Sequence, residues 1–237
     1  MHVLSYNIHH GEGLDRKIDL ERIAALVRES GADLVALQEV DRVTRRTHQV
    51  DQLGVLAAGT GFHPAFGKFM DFQGGEYGLG ILSRYPIHRT WSIALPAGSR
   101  EPRSALAVSV THPTLGPTTF VCLHLDWLAD DSHRFLQAQA LVEGLRDVQG
   151  LVVLAGDFND RPGPRTLELF GSRFTQADKP EDAHDTFPAD GPDREIDFVM
   201  FRSATQIEAS AIVLTEAVAS DHRPILATLR QREGARP

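Results

Sequence analysis

The sequence predicts an α/β fold, a four-layer α-β-β-α sandwich of two mixed sheets flanked by helices. Two observations predict it: apolar runs typical of buried strands alternate with amphipathic helix patterns, and the order strand, helix, strand occurs twice. With 237 residues and 42% hydrophobic content, the chain can bury a sizeable core. Because no linker divides the sequence, we expect one domain over residues 1–231, followed by a disordered tail over residues 232–237.

The first strand, helix, strand unit lies near the beginning of the chain. Residues 3–8 are typical of a strand, and residues 33–40 are typical of a second, buried strand. Residues 19–30 predict an amphipathic helix that begins at Asp19 and ends before Gly31. Its apolar positions follow the spacing i, i+3, i+4, i+7, at Leu20, Ile23, Ala24 and Val27.

The second unit has the same order. Residues 119–124 predict a strand, residues 132–148 a helix that Gly150 stops, and residues 151–157 a strand buried on both faces. The helix shows one apolar face, formed by Phe135, Ala138, Val142 and Leu145.

Polar residues occur at corresponding places in the two units. Asn7 and Glu39 are 32 positions apart, and His124 and Asp157 are 33 apart. We therefore expect the units to pack face to face, each in its own sheet with its helix outside. The four polar strand ends would then meet along one rim.

The rest of the chain predicts further strands and two long loops. The further strands are residues 77–84, 105–112, 195–201, 207–214 and 224–229. Residues 113–117 predict a hairpin turn, which makes the sheets mixed rather than wholly parallel. We interpret residues 67–78 as a mobile aromatic surface loop, with contact to substrate as the alternative. Residues 176–194, rich in Asp, Pro and Ala, predict another loop.

Composition and charge restrict the class of protein. The formal net charge is −8 at pH 7, so no broad basic field attracts long nucleic acid. The single cysteine, Cys122, stands in an apolar run and predicts a buried thiol rather than a disulfide. No signal-peptide pattern follows Met1, and no apolar run approaches the roughly 20 residues that span a bilayer. These observations predict a cytoplasmic protein without a transmembrane segment.

Eight polar residues interrupt or border the apolar strands: Asn7, Glu39, His124, Asp157, Asn159, Asp197, Asp221 and His222. Two of them, Asp157 and Asn159, are two positions apart, so a carboxylate and an amide can face one water or phosphate oxygen. The alternative is a turn in which both side chains bond their own backbone.

The same residues suit a hard divalent cation. Such a cation takes oxygen ligands, and Glu39 and Asp221, with Asn7 beside them, supply them. No cysteine or histidine pair has zinc-site spacing, which disfavours zinc. His222 facing Asp197 would form a pair in which the imidazole favours its charged form.

Seven short motifs, ordered along nearly the whole chain, resemble those of the endonuclease/exonuclease/phosphatase superfamily. They are Ser5–Ile8 (SYNI), Leu37–Asp41 (LQEVD), Gly80–Ile87 (GILSRYPI), Leu123–Asp126 (LHLD), Gly156–Asn159 (GDFN), Ile196–Phe198 (IDF) and Ser220–Pro224 (SDHRP). The superfamily includes deoxyribonucleases, abasic-site endonucleases, inositol-polyphosphate phosphatases and neutral sphingomyelinases. The resemblance implies a four-layer sandwich and cleavage of a phosphoester with a divalent metal.

By this resemblance, three residues form the metal site. Glu39 would ligate the metal, Asn7 would bind metal or phosphate beside it, and Asp221 would reach the metal directly or through water. The expected cofactor is Mg²⁺, with Mn²⁺ as a substitute.

The resemblance also implies the catalytic roles. Asp157 would orient and deprotonate the attacking water, and Asn159 would hold that water or a non-bridging oxygen. His222, kept charged by Asp197, would stabilise the transition state, and His124 would contact the phosphate from the other side. No covalent intermediate is expected, because phosphoryl transfer depends on positioning and charge neutralisation.

Three further residues have weaker patterns. Arg103 is either a substrate-binding residue or a surface charge at a strand end. Asp126 and His9 are expected to be structural or solvated.

The first hypothesis for function is a metal-dependent phosphodiesterase or phosphatase acting on a small or lipid-derived phosphoester. The alternative enzyme is a nuclease acting on DNA or RNA, which the basic cluster Arg42, Arg45 and Arg46 keeps open. A binding module without turnover is the third hypothesis, disfavoured because all the catalytic residue types are present. A membrane-lipid substrate would need an exposed apolar loop, for which residues 69–77 and 127–128 are the candidates.

Overall fold

Two six-stranded mixed sheets form the centre of the fold in a computed structural model that describes residues 1–98 and 101–232. The strands are β1 (His2–Asn7), β2 (Leu34–Arg42), β3 (His63–Phe72), β4 (Gly75–Ser83), β5 (Arg89–Ala94), β6 (Ser104–His112), β7 (Gly116–His124), β8 (Leu151–Asp157), β9 (Thr175–Gln176), β10 (Asp197–Arg202), β11 (Ile207–Val213) and β12 (Ile225–Gln231). The helices are α1 (Leu20–Ser30), α2 (Gln52–Thr60), α3 (Ser132–Gly144) and α4 (Arg165–Gly171), and a 3-10 helix covers His9–Gly11. Apart from Arg232, the tail predicted over residues 232–237 lies outside the described residues.

The layers follow from the burial of the two sheets. The first sheet has the order β11-β12-β1-β2-β4-β3, and the second has the order β5-β6-β7-β8-β10-β9. Apolar side chains from both sheets form one core between them. A second core packs α3 and α4 on the outer face of the second sheet, and a third packs α1 and α2 on the first sheet. The predicted four-layer α-β-β-α sandwich is confirmed.

The repeated strand, helix, strand unit is present in both sheets. β1 and β2 are parallel neighbours joined through α1, and β7 and β8 are parallel neighbours joined through α3. Asn7 pairs with Gln38 in the first sheet, and His124 pairs with Asp157 in the second. The carboxyl ends of both parallel pairs therefore lie at one rim of the sandwich.

Helix α1 shows why the local sequence decides an element's ends. The Asp19 side chain accepts hydrogen bonds from the backbone N–H groups of Glu21 and Arg22, which satisfies two donors at the helix start. Gly31 ends the helix with φ of 66°, a left-handed conformation that glycine adopts without strain. Both ends agree with the sequence pattern.

The interpretation of residues 67–78 as a mobile loop is wrong. These residues form the second half of β3 and the beginning of β4, an antiparallel hairpin whose turn contains Gln73 and Gly74. Phe69 and Tyr77 are buried in the core between the sheets, and partly buried Phe72 packs against it. Glycines in the segment concealed the strand pattern, because they contribute no side chain to it.

Other boundaries also differ from the sequence pattern. Helix α3 ends at Gly144 rather than at residue 148, and the Arg202 guanidinium donates to the carbonyls of Leu145 and Val148 beyond it. That contact from the second sheet replaces a further helical turn. The sequence pattern also missed the elements α2, β5, α4 and β9.

Two expectations from composition can be compared with the fold. Cys122 is a buried free thiol, as predicted, and burial raises its pKa to about 12. Among the described residues, no helix combines the length and the apolar character that crossing a membrane requires.

Candidate active site

The predicted polar residues meet at one rim because of the strand directions. Asn7 and Asp157 end β1 and β8. β10 runs antiparallel to β8, so its first residue, Asp197, pairs with Asp157 at the same rim. β12 runs antiparallel to β1, so the segment before it brings His222 to this rim as well.

A bulge in β2 directs Glu39 into the site. The pairing of β2 with β4 shifts between Leu37 and Val40, and Glu39 has φ of 60°. A bulge of this kind re-aims a side chain that regular pleating would point elsewhere. The half-buried Glu39 carboxylate accepts a hydrogen bond from Asn7 Nδ2 at 3.2 Å. Asn7 Nδ2 also donates to Asp157 Oδ2 at 3.2 Å, so one amide joins carboxylates from the two sheets.

The two oxygens of Asp157 have different surroundings. Oδ1 accepts a hydrogen bond from the Asn159 backbone N–H at 2.9 Å, which is the local turn considered as the alternative. Oδ2 instead faces Asn7 and two histidines, with His124 Nε2 at 3.5 Å and His222 Nε2 at 3.7 Å. Asn159 has φ of 51°, and its Nδ2 donates to the Leu125 carbonyl at 3.0 Å. The same carboxylate therefore stabilises the local turn through Oδ1 and faces the cleft through Oδ2.

The position of Asp157 depends on a close approach of β7 and β8. A Cβ atom added at Gly156 would meet the Leu123 carbonyl oxygen at 2.0 Å, so only glycine fits this place. The approach lets His124 and Asp157, the next residue on each strand, face one another.

Asp197 holds His222 through Nδ1, the ring nitrogen that faces away from Asp157. His222 Nδ1 lies 2.9 Å from Asp197 Oδ2, and the Thr186 hydroxyl donates to the same oxygen at 2.6 Å. Burial by itself lowers the pKa of His222, but the charge and hydrogen bond of Asp197, with the charges of Asp157 and Asp221, raise it to about 10. His222 is therefore charged at neutral pH, and both of its ring nitrogens are donors.

His124 has the opposite protonation state. The Arg103 guanidinium donates to His124 Nδ1 at 3.2 Å, so the network assigns the ring proton to Nε2, on the side of Asp157. Burial and the charges of Arg103 and His222 hold the pKa of His124 well below its usual range. A neutral and a charged imidazole therefore lie on either side of one carboxylate.

The pKa of Asp157 lies near neutral pH. Burial, followed by repulsion from Asp197, raises the pKa of Asp157 to about 7, against the opposing charge of His222 and two hydrogen bonds. A buried carboxyl group with such a pKa can exchange a proton with a bound water near pH 7.

Arg103 is buried at the site rather than exposed at a strand end. Its guanidinium lies 5.2 Å from the centroid of the Phe69 ring and 3.0 Å from Glu101 Oε2. Its Nε has no hydrogen-bond partner among the described residues. A buried donor without a partner favours the substrate-binding role over the surface-charge alternative.

The site opens into a cleft of about 440 Å³. Its lining includes charged groups, Glu39, Arg46, Glu101, Arg103 and Arg194, and apolar groups, Met70, Phe72, Tyr77, Trp127, Phe187 and Ile196. His124, Asp157, Asn159 and His222 also line it. A cleft of this size matches a small ligand.

Two groups of residues compete as metal ligands. Within the described part of the chain, ligand atoms of Asp157, Asp197 and His222 lie within 4.8 Å of one another. Their hydrogen bonds disfavour this set, because Asp197 Oδ2 already accepts two of them and charged His222 has no free lone pair. The Glu39 carboxylate accepts one hydrogen bond, from Asn7, and fits a hard cation better.

The remaining predicted residues have the following places. Asp221 is half-buried next to His222, where its charge acts on that ring, and it is not among the residues lining the cleft. The His9 backbone N–H donates to Asn7 Oδ1 at 3.1 Å. Buried Asp126 accepts the Leu128 backbone N–H, which agrees with a structural role.

Sequence reasoning missed Thr186 and Phe187. Thr186 bonds Asp197, and the Phe187 ring centroid lies 4.7 Å from that of His222. Both stand in the segment predicted only as a loop, where no periodicity singles out a residue. Of the two candidate lipid-contact segments, residues 69–77 differ from expectation, since Phe69 and Tyr77 are buried, whereas Trp127 in the other segment is exposed.

The chain is similar to known proteins along nearly its whole length. Residues 4–222 match the model of the Endonuclease/Exonuclease/phosphatase family. The uncharacterized protein YbhP of Escherichia coli is 29% identical over 249 residues, covering 96% of this chain and 95% of its own.

Two solved structures share the fold. An endonuclease/exonuclease/phosphatase from Beutenbergia cavernae superposes with a TM-score of 0.79 at 24% identity, covering 98% of this chain and 71% of its own. A mannosyl-6-phosphatase of Bacteroides thetaiotaomicron gives a TM-score of 0.78 at 19% identity, with coverages of 97% and 99%. At these identities the likeness establishes the fold.

Proposed function

Because this chain belongs to the endonuclease/exonuclease/phosphatase family, whose members are hydrolases acting on phosphoester bonds, we propose that it is a divalent-metal-dependent phosphoesterase. It hydrolyses a phosphodiester or phosphomonoester by direct attack of a water that Asp157 activates. The observation that carries the proposal is the position of Asp157, between a charged and a neutral imidazole and bridged through Asn7 to Glu39.

The metal would be held by the first sheet and the segment before β12. Glu39 is the proposed principal ligand of Mg²⁺, or of Mn²⁺ in its place, with Asn7 and Asp221 completing the site directly or through water. When bound, the cation polarises a phosphoryl oxygen and offsets the charge that develops on it. Asn7 couples this site to Asp157, because the two protons of its amide are shared between the two carboxylates.

Residues at the end of β8 in the second sheet carry out the chemical step. Asp157 accepts a proton from the water while the water oxygen forms a bond to phosphorus and the ester P–O bond breaks. The leaving alkoxide takes up a proton from the solvent, Asp157 releases to the solvent the proton that it accepted, and no bond to the protein forms. Asn159 Oδ1 has no hydrogen-bond partner among the described residues and accepts a hydrogen bond from the other O–H of the water.

Three groups stabilise the charge on the phosphoryl oxygens. Charged His222 donates from Nε2, and neutral His124 donates from its own Nε2. The buried guanidinium of Arg103, whose Nε–H has no partner among the described residues, supplies a positive charge beside His124.

The cleft supports a small or lipid-derived substrate over a nucleic acid. Two members of the predicted basic cluster are paired with acids: Arg46 bonds Asp41 through two nitrogens at 2.7 and 2.8 Å, and Arg42 pairs with Glu76. These charges are neutralised locally, and the net charge of the chain is −8. Apart from the exposed Arg45, a phosphate backbone therefore finds little free positive charge in this cluster.

Replacement of Asp157 tests the base. Asp157→Asn should abolish hydrolysis of bis(p-nitrophenyl) phosphate, with fold and Mg²⁺ affinity nearly unchanged, because the amide cannot accept the proton. Asp147→Asn, at an exposed position, is the matched control and should keep wild-type turnover. Retained turnover in Asp157→Asn would remove Asp157 from this role.

Replacement of Glu39 tests the metal site. Glu39→Gln should raise the Mg²⁺ concentration needed for half-maximal activity by about tenfold or more, since a carboxylate ligand is lost. Exposed Glu29→Gln serves as the control. An unchanged Mg²⁺ dependence in Glu39→Gln would refute the assignment.

A substrate panel tests the substrate class. Mononucleotides, abasic DNA, inositol phosphates and choline-containing lipids, assayed with Mg²⁺ and Mn²⁺, should show the highest kcat/KM on a small or lipid-derived ester. Preference for abasic DNA would favour the nuclease alternative.

A further inference from the structure

A buried lysine lies behind the Asp197–His222 pair and takes no part in the steps above. Lys179 stands in the segment between β9 and β10, and its side chain is 2% exposed. Its ammonium nitrogen is 2.7 Å from Glu195 Oε1 and 4.6 Å from the centroid of the Phe198 ring. Desolvating such an ion pair is costly, and apolar residues of similar size stabilise a fold equally well. The pair therefore needs an explanation other than stability.

The pairing of β9 with β10 explains where the ammonium lies. Where the short β9 ends, the Ala177 backbone N–H donates to the Val199 carbonyl at 2.9 Å. Two residues further along each of the two paired segments, Lys179 Nζ donates to the Asp197 carbonyl at 2.8 Å. The lysine side chain thus supplies the donor that the backbone of a longer β9 would supply. It does so at the first residue of β10, which carries the carboxylate that holds His222.

We propose that Lys179, paired with Glu195, is a positioning residue for hydrolysis: it fixes Asp197 at the start of β10, so that Asp197 holds His222 against Asp157. The catalytic part of this inference rests on the proposed function. Asp197 is then held at both ends, its carbonyl by Lys179 and its carboxylate by Thr186 and His222.

A continuous series of contacts supports this role. From the interior to the cleft, Glu195 Oε1 contacts the Lys179 ammonium, the ammonium contacts the Asp197 backbone carbonyl, and the Asp197 carboxylate contacts His222. Without the lysine, Glu195 loses its ion-pair partner and the Asp197 carbonyl loses this donor. The loss acts on Asp197, and through it on the ring of His222.

The first test compares two variants on the same strand. Lys179→Met keeps an unbranched stem and removes the charge and the donor. Arg202→Met does the same at the other end of β10, where Arg202 donates to two carbonyls and lies 5.3 Å from the centroid of the Phe174 ring. Lys179→Met should lower kcat on bis(p-nitrophenyl) phosphate about tenfold with KM unchanged, because it acts through residues that contact the phosphoryl group. Arg202→Met should lose comparable stability in urea and keep wild-type kcat.

A double-mutant cycle separates action through Asp197 from a general effect. In an Asp197→Ala background, Lys179→Met should leave the residual kcat unchanged, since the residue it positions is absent. An equal loss of kcat in both backgrounds overturns the proposal. A wild-type kcat in folded Lys179→Met also overturns it.

A readout without substrate distinguishes this inference from the proposed function. The His222 Nδ1 proton, hydrogen-bonded to Asp197, should give a proton NMR signal downfield of the amide region, assigned by its loss in Asp197→Ala. The signal should shift or vanish in Lys179→Met and persist in Arg202→Met. If the wild type hydrolyses no phosphoester probe, the proposed function fails and this signal alone decides the positioning. Its absence in the wild type, or its persistence in Lys179→Met, overturns the inference.

Discussion

At the scale of single residues, the environment of Asp157 is built from groups of opposite protonation. Asp197 raises the pKa of His222 against the effect of burial and makes it a cation, while burial, together with the charge of Arg103, lowers the pKa of His124 and makes it a neutral donor. Two similar side chains thus differ because one faces a carboxylate and the other a guanidinium. The Nε2 atoms of both rings lie 3.5 and 3.7 Å from Asp157 Oδ2, yet burial keeps the proton affinity of Asp157 high enough for a base.

The dependence of activity on pH follows from these two shifts. Asp157 must be ionised to accept a proton, so kcat/KM should fall as pH is lowered through about 7. His222 must be charged to stabilise the phosphoryl group, so kcat/KM should fall again as pH is raised through about 10. A pH–rate profile from about pH 5 to about pH 11 should therefore be bell-shaped.

The control for this profile is Asp197→Asn. It removes the charge that raises the pKa of His222, so the alkaline limb should move to lower pH. It also removes the repulsion that helps to raise the pKa of Asp157, so the acid limb should move to lower pH as well. A profile that stays level on the acid side would contradict the assignment of Asp157 as the base.

At the scale of elements, the hairpin of β3 and β4 shows how packing overrides a sequence pattern. Its glycines favoured a loop, but close backbone contacts require them inside strands. A Cβ atom added at Gly78 would lie 2.0 Å from the Gly67 carbonyl oxygen, beside a shift in the pairing of β3 and β4. The contacting atom belongs to the backbone, so no side-chain rotation can relieve the overlap.

Gly78→Ala should therefore lower the free energy of unfolding by about 1–3 kcal/mol. Urea titration followed by circular dichroism measures this change. Gly171→Ala is the matched control: an added Cβ there meets no atom within 4 Å, and alanine suits the end of α4. Its stability should be unchanged or raised. Equal stability of both variants would show that the hairpin backbone can move apart.

At the scale of the whole molecule, the site exists only because the two sheets pack together. Asn7 and Glu39 come from the first sheet, and His124 and Asp157 come from the second. The core between the sheets, in which Phe120 is fully buried, fixes the distance between these pairs. We propose on this ground that residues 1–231 form one cooperative domain.

Activity and secondary structure should therefore be lost together. In urea, the loss of hydrolysis and the loss of circular dichroism should give coincident curves. Phe120→Ala leaves a cavity between the sheets and should shift both curves by the same amount, with a destabilisation of about 3–5 kcal/mol. Two separated transitions would mean that the sheets unfold independently.

The sequence by itself determined the repeated strand, helix, strand units and the polar residues at their ends. Hydrophobic periodicity and capping residues such as Asp19 and Gly31 act locally. Alternation sets the face to which each strand side chain points, and the last residue of a strand lies at the carboxyl edge of its sheet. Glycine-rich β3 and β4 escaped this reasoning, because their strand character comes from long-range contacts rather than from side-chain pattern.

Only the tertiary structure decided which groups touch and how they are charged. Three hydrogen bonds depend on distances between segments that are separate in the chain. They join Arg103 to His124, Thr186 to Asp197, and the Lys179 side chain to the Asp197 carbonyl. Protonation depends on burial and on neighbouring charges, and both are properties of the folded arrangement. The order of residues can supply the groups, but their pKa values and partners arise when the two sheets close on one another.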